Sequence, residues 1–153
     1  MPRDYHSLAA HAAPLVALAD RKERMTRLTD LLWEALCSTG ISWCGFYVPE
    51  EGAGQLVLAV CRPKPACSPI GLHGVCGRGF LTRQAQVVKD VQDLGPAYVA
   101  CDPADRSEVV VPMLRPDGTC AGVLDLDSHN VGAFTQEDAA GLAAVLKAAG
   151  LSA

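Results

Sequence analysis

SEVVVPMLRPDGTCAGVLDLDS, residues 107–128, reads as two strands joined by a tight turn. The first part, SEVVVPML (107–114), is rich in β-branched residues, which suit a pleated backbone. RPDG (115–118) carries turn chemistry: proline presets φ, aspartate bonds nearby backbone, and glycine accepts positive φ. In TCAGVLDLDS (119–128), Val123, Asp125 and Asp127 alternate with Leu124, Leu126 and Ser128, the period of a strand. Strands joined by so short a turn run antiparallel.

Working outward, ISWCGFYV (41–48) and LVLAV (56–60) flank the turn PEEGAGQ, a second hairpin signature. QVVKDV (86–91) supplies one more strand. Apolar residues Leu15, Leu18, Met25, Leu28, Leu31, Leu32, Ala35 and Leu36 recur at helical spacing, predicting a helix from Pro14 to about Cys37. Residues 4–13 read as a polar–apolar lead-in, and 79–85 as a short helix. Thr135 caps a last helix with Glu137 and Asp138 in its first turn and Gly150 closing it. Two long loops remain, 62–79 and 92–106. The 153 residues form one domain, 1–153, with an N-terminal helical segment over 1–25. Its class is α+β, an antiparallel sheet with helices packed on it.

Half of the residues are apolar and the formal charge is −4. No basic run supports a nucleic-acid surface, and no apolar run is long enough to span a membrane. LAAHAAPLVALA (8–19) imitates a signal peptide, but His11 and Pro14 interrupt it and Asp4 offsets Arg3. The expected location is therefore cytoplasmic, where thiols stay reduced.

Seven cysteines are many for this length. Cys37, Cys44, Cys61 and Cys120 fall in or at the ends of predicted elements and read as small hydrophobes. Cys67 and Cys76 fall in the first long loop and Cys101 in the second. Redox chemistry on sulfur needs one thiolate to attack and a second thiol to release it, and loops can bring such sulfurs together. Gly74 and Gly77 flank Cys76 and permit close backbone approach. A zinc reading of Cys67, His73, Cys76 and Cys101 lacks the paired spacing that zinc sites use, so no metal is expected. Asp125 and Asp127 share one face of their strand. They read either as a solvated edge or, with Glu108 on the preceding strand, as a carboxylate cluster for a cationic amine or a proton. Trp43 and Tyr47 share a face of the first strand, as core filling or as an aromatic wall for a small ligand.

SWCGFY, KPAC, GVCG, ACDPADRSEVVVP and GVLDLDS, in this order, resemble the free methionine-(R)-sulfoxide reductases, which are stand-alone GAF domains. The likeness runs from about Thr26 to Leu146. It implies a GAF-like antiparallel sheet of about six strands with helices on both faces. It implies reduction of free L-methionine-(R)-S-oxide to L-methionine with no bound cofactor. Reducing equivalents would come from thioredoxin, ultimately from NADPH, and the protein would be a homodimer. By motif, the resemblance makes Cys101 the attacking sulfur, Cys67 the main resolving thiol and Cys76 an auxiliary one. It places Glu108, Asp125 and Asp127 among the acidic pocket residues and Trp43 and Tyr47 in the pocket wall; desolvation and acidic neighbours would raise Glu108 or Asp127 and make it the proton donor. The eight residues between Cys67 and Cys76 are fewer than the family's usual spacing, and the 24 before Cys101 lengthen in compensation. Gly71-Leu72-His73 replaces the usual proline-led segment. The competing reading is a GAF module that senses a small ligand or redox state without turnover.

Overall fold

A computed structural model describes residues 2–98 and 101–153. Six strands form one sheet: β1 (Trp43–Glu50), β2 (Gln55–Arg62), β3 (Ile70–Gly71), β4 (Gln86–Val88), β5 (Ser107–Leu114) and β6 (Cys120–Ser128). Their spatial order is β3-β2-β1-β6-β5-β4, and each neighbouring pair is antiparallel. The two sequence-legible hairpins, β1/β2 and β5/β6, thus lie side by side through the β1–β6 pairing. The two-residue β3 is too short to leave a sequence pattern, and it sits inside the first long loop.

Four helices cover the sheet: α1 (Tyr5–Ala12), α2 (Arg21–Leu36), α3 (Val75–Thr82) and α4 (Gln136–Ala148). Helices α1, α2 and α4 build the larger core on one face. There Leu28, Leu32 and Leu36 meet Phe46, Leu124, Leu126, Leu142 and Leu146. Each fully buried leucine of this kind contributes about 1.5–3 kcal/mol relative to exposure. Helix α3 packs on the opposite face, over β5 and β6. Its smaller core joins Trp43, Tyr47, Val75, Cys76, Val110 and Val123.

The amino-terminal region departs from the sequence reading. The lead-in is itself helix α1, capped by Asp4, which accepts the Ser7 N–H at 3.0 Å. Pro14 opens a 3-10 turn over Ala13–Ala17, and Leu18 is extended. The long helix therefore starts only at Arg21, where Asp20 accepts the Lys22 N–H at 3.1 Å. Proline cannot donate to the ladder, so the apolar periodicity crosses a break. Arg3 and Tyr5 both bond Asp138, at 3.0 and 2.5 Å, and tie this segment to α4. Asp138 also completes the capping box with Thr135.

Helix α3 begins at Val75, four residues before the expected start, and so takes Cys76 out of the loop. Gly77 makes this possible. A Cβ there would lie 2.1 Å from the Leu72 carbonyl oxygen, so only glycine allows the helix to close onto the preceding turn. Gly74 faces open space, and close approach is not its purpose. Cys37 also departs from expectation: it caps α2 and is exposed, whereas Cys44 and Cys120 are buried in strands. Among the described residues, no helix is long and apolar enough to cross a membrane.

Candidate active site

The site grows from the register of the three central strands. Trp43 on β1 stands opposite Asp127 on β6, which stands opposite Glu108 on β5. The next row on the same face is Gly45, Asp125 and Val110. A two-residue period therefore carries all three carboxylates to the face that α3 covers. Strand β6 is central, so the solvated-edge reading of Asp125 and Asp127 does not hold. Glu108 and Asp125 are each only 5% exposed.

Burying acids together opposes their ionisation. Glu108 is pushed up to about 7, chiefly by desolvation and also by the Asp105 charge. Asp125 and Asp127 are held well above the usual carboxylate range, first by burial and then by their acidic neighbours. Cys76, Glu108 and Asp125 bring donor atoms within 4.8 Å of one another, and the Cys76 Sγ lies 4.0 Å from Glu108 Oε1. At neutral pH this floor retains protons. A buried group with a retained proton is a ready acid.

The aromatic pair has two jobs. The rings stand 6.1 Å apart on the cavity face. A Cβ at residue 45 would lie 2.4 Å from the Trp43 ring, so Gly45 leaves the space the indole occupies. At their polar ends both residues hold the first long loop. Trp43 Nε1 donates to the Lys64 carbonyl and Tyr47 Oη to the Cys67 carbonyl, each at 2.8 Å. The wall thereby fixes the backbone that carries Cys67.

Cys67 and Cys101 are exposed at the rim, while Cys76 is buried in the first turn of α3. Cys67 neighbours Cys101 closely enough to act on its thiol. The Cys101 thiol is pushed up to about 12, by desolvation first and then by Cys67. Burial pushes the Cys76 thiol up, and Asp125 and Glu108 push it further. Lys64 lies 3.8 Å from Asp102, the residue after Cys101, and Arg106 lies 3.4 Å from Asp90. All seven cysteines are free thiols.

An inner cavity of about 100 Å³ lies between α3 and the floor, and an outer one of about 230 Å³ opens beyond it. They share Trp43, Ala66, Cys101, Asp105 and Asp127. Cys76, Tyr47, Glu108 and Asp125 line the inner part. Among the described residues, no lysine or arginine lines that inner part. Seven of the eight sequence-named site residues thus lie on the cavity lining, and the eighth, Cys67, neighbours Cys101. Cys67, His73, Cys76 and Cys101 do not form a metal-competent group among the described residues; those that do are Cys76–Glu108–Asp125 and Asp102–Asp105–His129. Ala100, which precedes the reactive-sulfur candidate in its motif, lies outside the described residues.

Sequence reasoning missed Asp105 and Tyr98, both on the inner lining. Asp105 is 7% exposed, and its Oδ1 has no hydrogen-bond partner. It is pushed up to about 6 by burial and by Asp102. Two aspartates three apart in a turn-rich loop look like ordinary turn chemistry, and only the fold shows that one faces inward.

The fold and this site define a class. A family model described as "GAF domain" matches residues 19–151. Within that class, the free methionine-R-sulfoxide reductase of Escherichia coli is 37% identical over 92% of this chain and 78% of its own length. That of Saccharomyces cerevisiae is 36% identical over 74% of this chain. The chain spans 65% of the yeast protein and 60% of a Bacillus subtilis relative that is 41% identical. A Staphylococcus aureus fRMsr structure in complex with substrate superposes with a TM-score of 0.88, at 32% identity over 100% of this chain and 98% of that one. The Neisseria meningitidis free methionine-R-sulfoxide reductase with its substrate gives 0.84, at 32% identity over 97% and 89%. The chain belongs to the GAF family and, within it, to the free methionine-(R)-sulfoxide reductases.

Proposed function

We propose that this chain reduces free L-methionine-(R)-S-oxide to L-methionine, with Cys101 as the attacking sulfur and Cys67 as the resolving thiol. The observation that carries this reading is Cys101 on the lining of a cavity floored by buried, proton-retaining carboxylates, with Cys67 as its neighbour. A sulfoxide sulfur becomes electrophilic when its oxygen is protonated, because oxide is a poor leaving group. Glu108 or Asp127 supplies that proton. Thiolate Cys101 attacks the sulfur; the protonated oxygen passes from that sulfur to the Cys101 sulfur as the bond between the two sulfurs breaks, so methionine leaves with the electron pair and Cys101 becomes a sulfenic acid. The Cys67 thiol condenses with it, giving a disulfide and water. Thioredoxin, fed by NADPH, reduces that disulfide.

The raised Cys101 thiol has a place in this scheme. The acidic cavity by itself disfavours a thiolate, and a substrate ammonium beside Asp125 or Asp127 supplies the compensating charge. The α-carboxylate has a separate partner. Helix α3 has no side-chain cap, and its first residues line the inner cavity, offering backbone N–H groups to an anion. A free amino acid presents both charges, whereas methionine within a polypeptide presents neither. Cys76 serves as an auxiliary thiol only if α3 opens, since it is packed in the helix.

The experiment is NADPH consumption coupled through thioredoxin and its reductase, offered each free diastereomer and an N-acetylated, amidated substrate. Turnover of the free R form alone is expected. Binding of the R form without consumption would overturn the proposal in favour of a sensor.

A further inference from the structure

We propose that His129 and Asp105 form the proton inlet of the cavity, recharging the floor carboxyl that has given its proton to the sulfoxide oxygen. This rests on the reductase reading above. His129 follows β6 and is about half exposed, its side chain 51% accessible. Its Nε2 lies 3.2 Å from Asp102 Oδ2 and 3.8 Å from Asp105 Oδ1. Asp105 lines both the outer and inner parts of the cavity, and its Oδ1 is buried with no hydrogen-bond partner. An unsatisfied buried acceptor is costly, so its persistence calls for a use. Its charge acts on both Glu108 and Asp127. The line from water to floor is therefore His129, Asp105, then Asp127 or Glu108.

The need for an inlet follows from the chemistry. In this scheme bound substrate lies in the inner cavity, against Glu108, Asp125 and Asp127, with Cys101 on the lining. The donating carboxyl is then ionised and enclosed with other acids. In one turnover the sulfoxide oxygen gains that proton and becomes the hydroxyl of the sulfenic acid. The Cys101 electron pair replaces the sulfur–oxygen bond and ends on methionine. His129 returns a proton to the floor through Asp105 and is recharged from water, balancing the proton Cys101 released on becoming a thiolate.

The groups facing Asp105 set its behaviour. Asp102 raises it, while His129 and Lys64 lower it. Asp127, Glu108 and Tyr98 lie on the cavity side, and the Asp105 charge raises each of them. Asp102 accepts from Ala104 N–H at 2.9 Å and orients the His129 ring. Asp102 is thus a positioning residue.

The test is chemical rescue in the full thioredoxin-coupled assay. His129→Ala is expected to lower kcat about tenfold. Added imidazole should restore it in proportion to its protonated concentration and leave the parent unchanged. Asp105→Asn should lower kcat similarly without rescue by imidazole, and Asp105→Glu should recover part of it. Thermal melting of each variant separates misfolding from a lost inlet. Parent-like kcat and pH profile in His129→Ala, or a deficit indifferent to imidazole, would overturn the inlet. An inactive parent protein would instead overturn the reductase reading itself.

Discussion

Glu108, Asp125 and Asp127 stand on adjoining central strands, each with a cross-strand partner on both sides. Cys67 and Cys101 stand in loops, outside the strand pairing. Glu108 and Asp125 are buried and Asp127 is partly so, all three on paired strands, whereas the two sulfurs are exposed in loops. Each half of the proposed reaction needs its own kind of support. Proton donation depends on a raised carboxyl, and only a rigid, dry floor can sustain one. Disulfide formation and release require sulfur atoms to meet and part, and strands forbid that motion. Cys76 belongs to the floor by location, although it shares its chemistry with the rim.

This contrast is most sharply broken at the rim. Cys101→Ser is expected to cut turnover of free methionine-(R)-sulfoxide by at least about a thousandfold. Cys67→Ser should lower thioredoxin-coupled turnover by roughly one to two orders of magnitude while sparing the first methionine released in a single turnover. Cys76→Ser should change the coupled rate by less than about threefold, because its sulfur is directed to Glu108 rather than to the rim. Coupled and single-turnover kinetics on the three variants check this order, and equal losses from Cys67→Ser and Cys76→Ser would erase the division between rim and floor.

The floor is probed through pH. The folded protein holds the Glu108 proton up to about 7, whereas its ordinary value is 4.5. In that window the folded state binds more protons than the unfolded one, so stability falls as pH rises from about 4.5 to 7. Burial shifts Asp125 and Asp127 in the same direction. Glu108→Gln should therefore raise neutral-pH stability, on the order of 1–3 kcal/mol, and do little at acid pH, while turnover falls. Denaturant melts at both pH values measure it, and a variant less stable than the parent at neutral pH would contradict a strained acid floor. A modest effect on one step alone is expected where floor and rim are joined. Tyr47→Phe removes the hydrogen bond to the Cys67 carbonyl, worth about 1 kcal/mol, and should slow resolution severalfold with substrate binding intact.

The same division explains what could be read in the chain. Glu108, Asp125, Asp127, Trp43 and Tyr47 were legible because a two-residue period assigns faces, and the RPDG turn fixes which strands pair. Cys67 and Cys101 were legible as loop thiols, and their roles came from the resemblance of the flanking motifs. Cys76 was misplaced because the start of α3 depends on Gly77 meeting Leu72, a tertiary contact with no local signature. The break before Arg21 was hidden for a related reason, since Leu15 and Leu18 continue the apolar spacing across a turn. Asp105 escaped notice because its burial depends on the path of the 101–106 loop beneath His129. The β1–β6 pairing, which sets the Trp43–Asp127–Glu108 row, joins strands far apart in sequence and is likewise invisible locally.

The most direct measurement is a peptide map of fully reduced protein after one equivalent of free methionine-(R)-sulfoxide, without external reductant. The expected result is one methionine released per chain and a single new disulfide joining Cys67 to Cys101, with Cys76 still a thiol. Methionine released with Cys101 still reduced would contradict the account, as would a bond from Cys76 formed while Cys67 remains free.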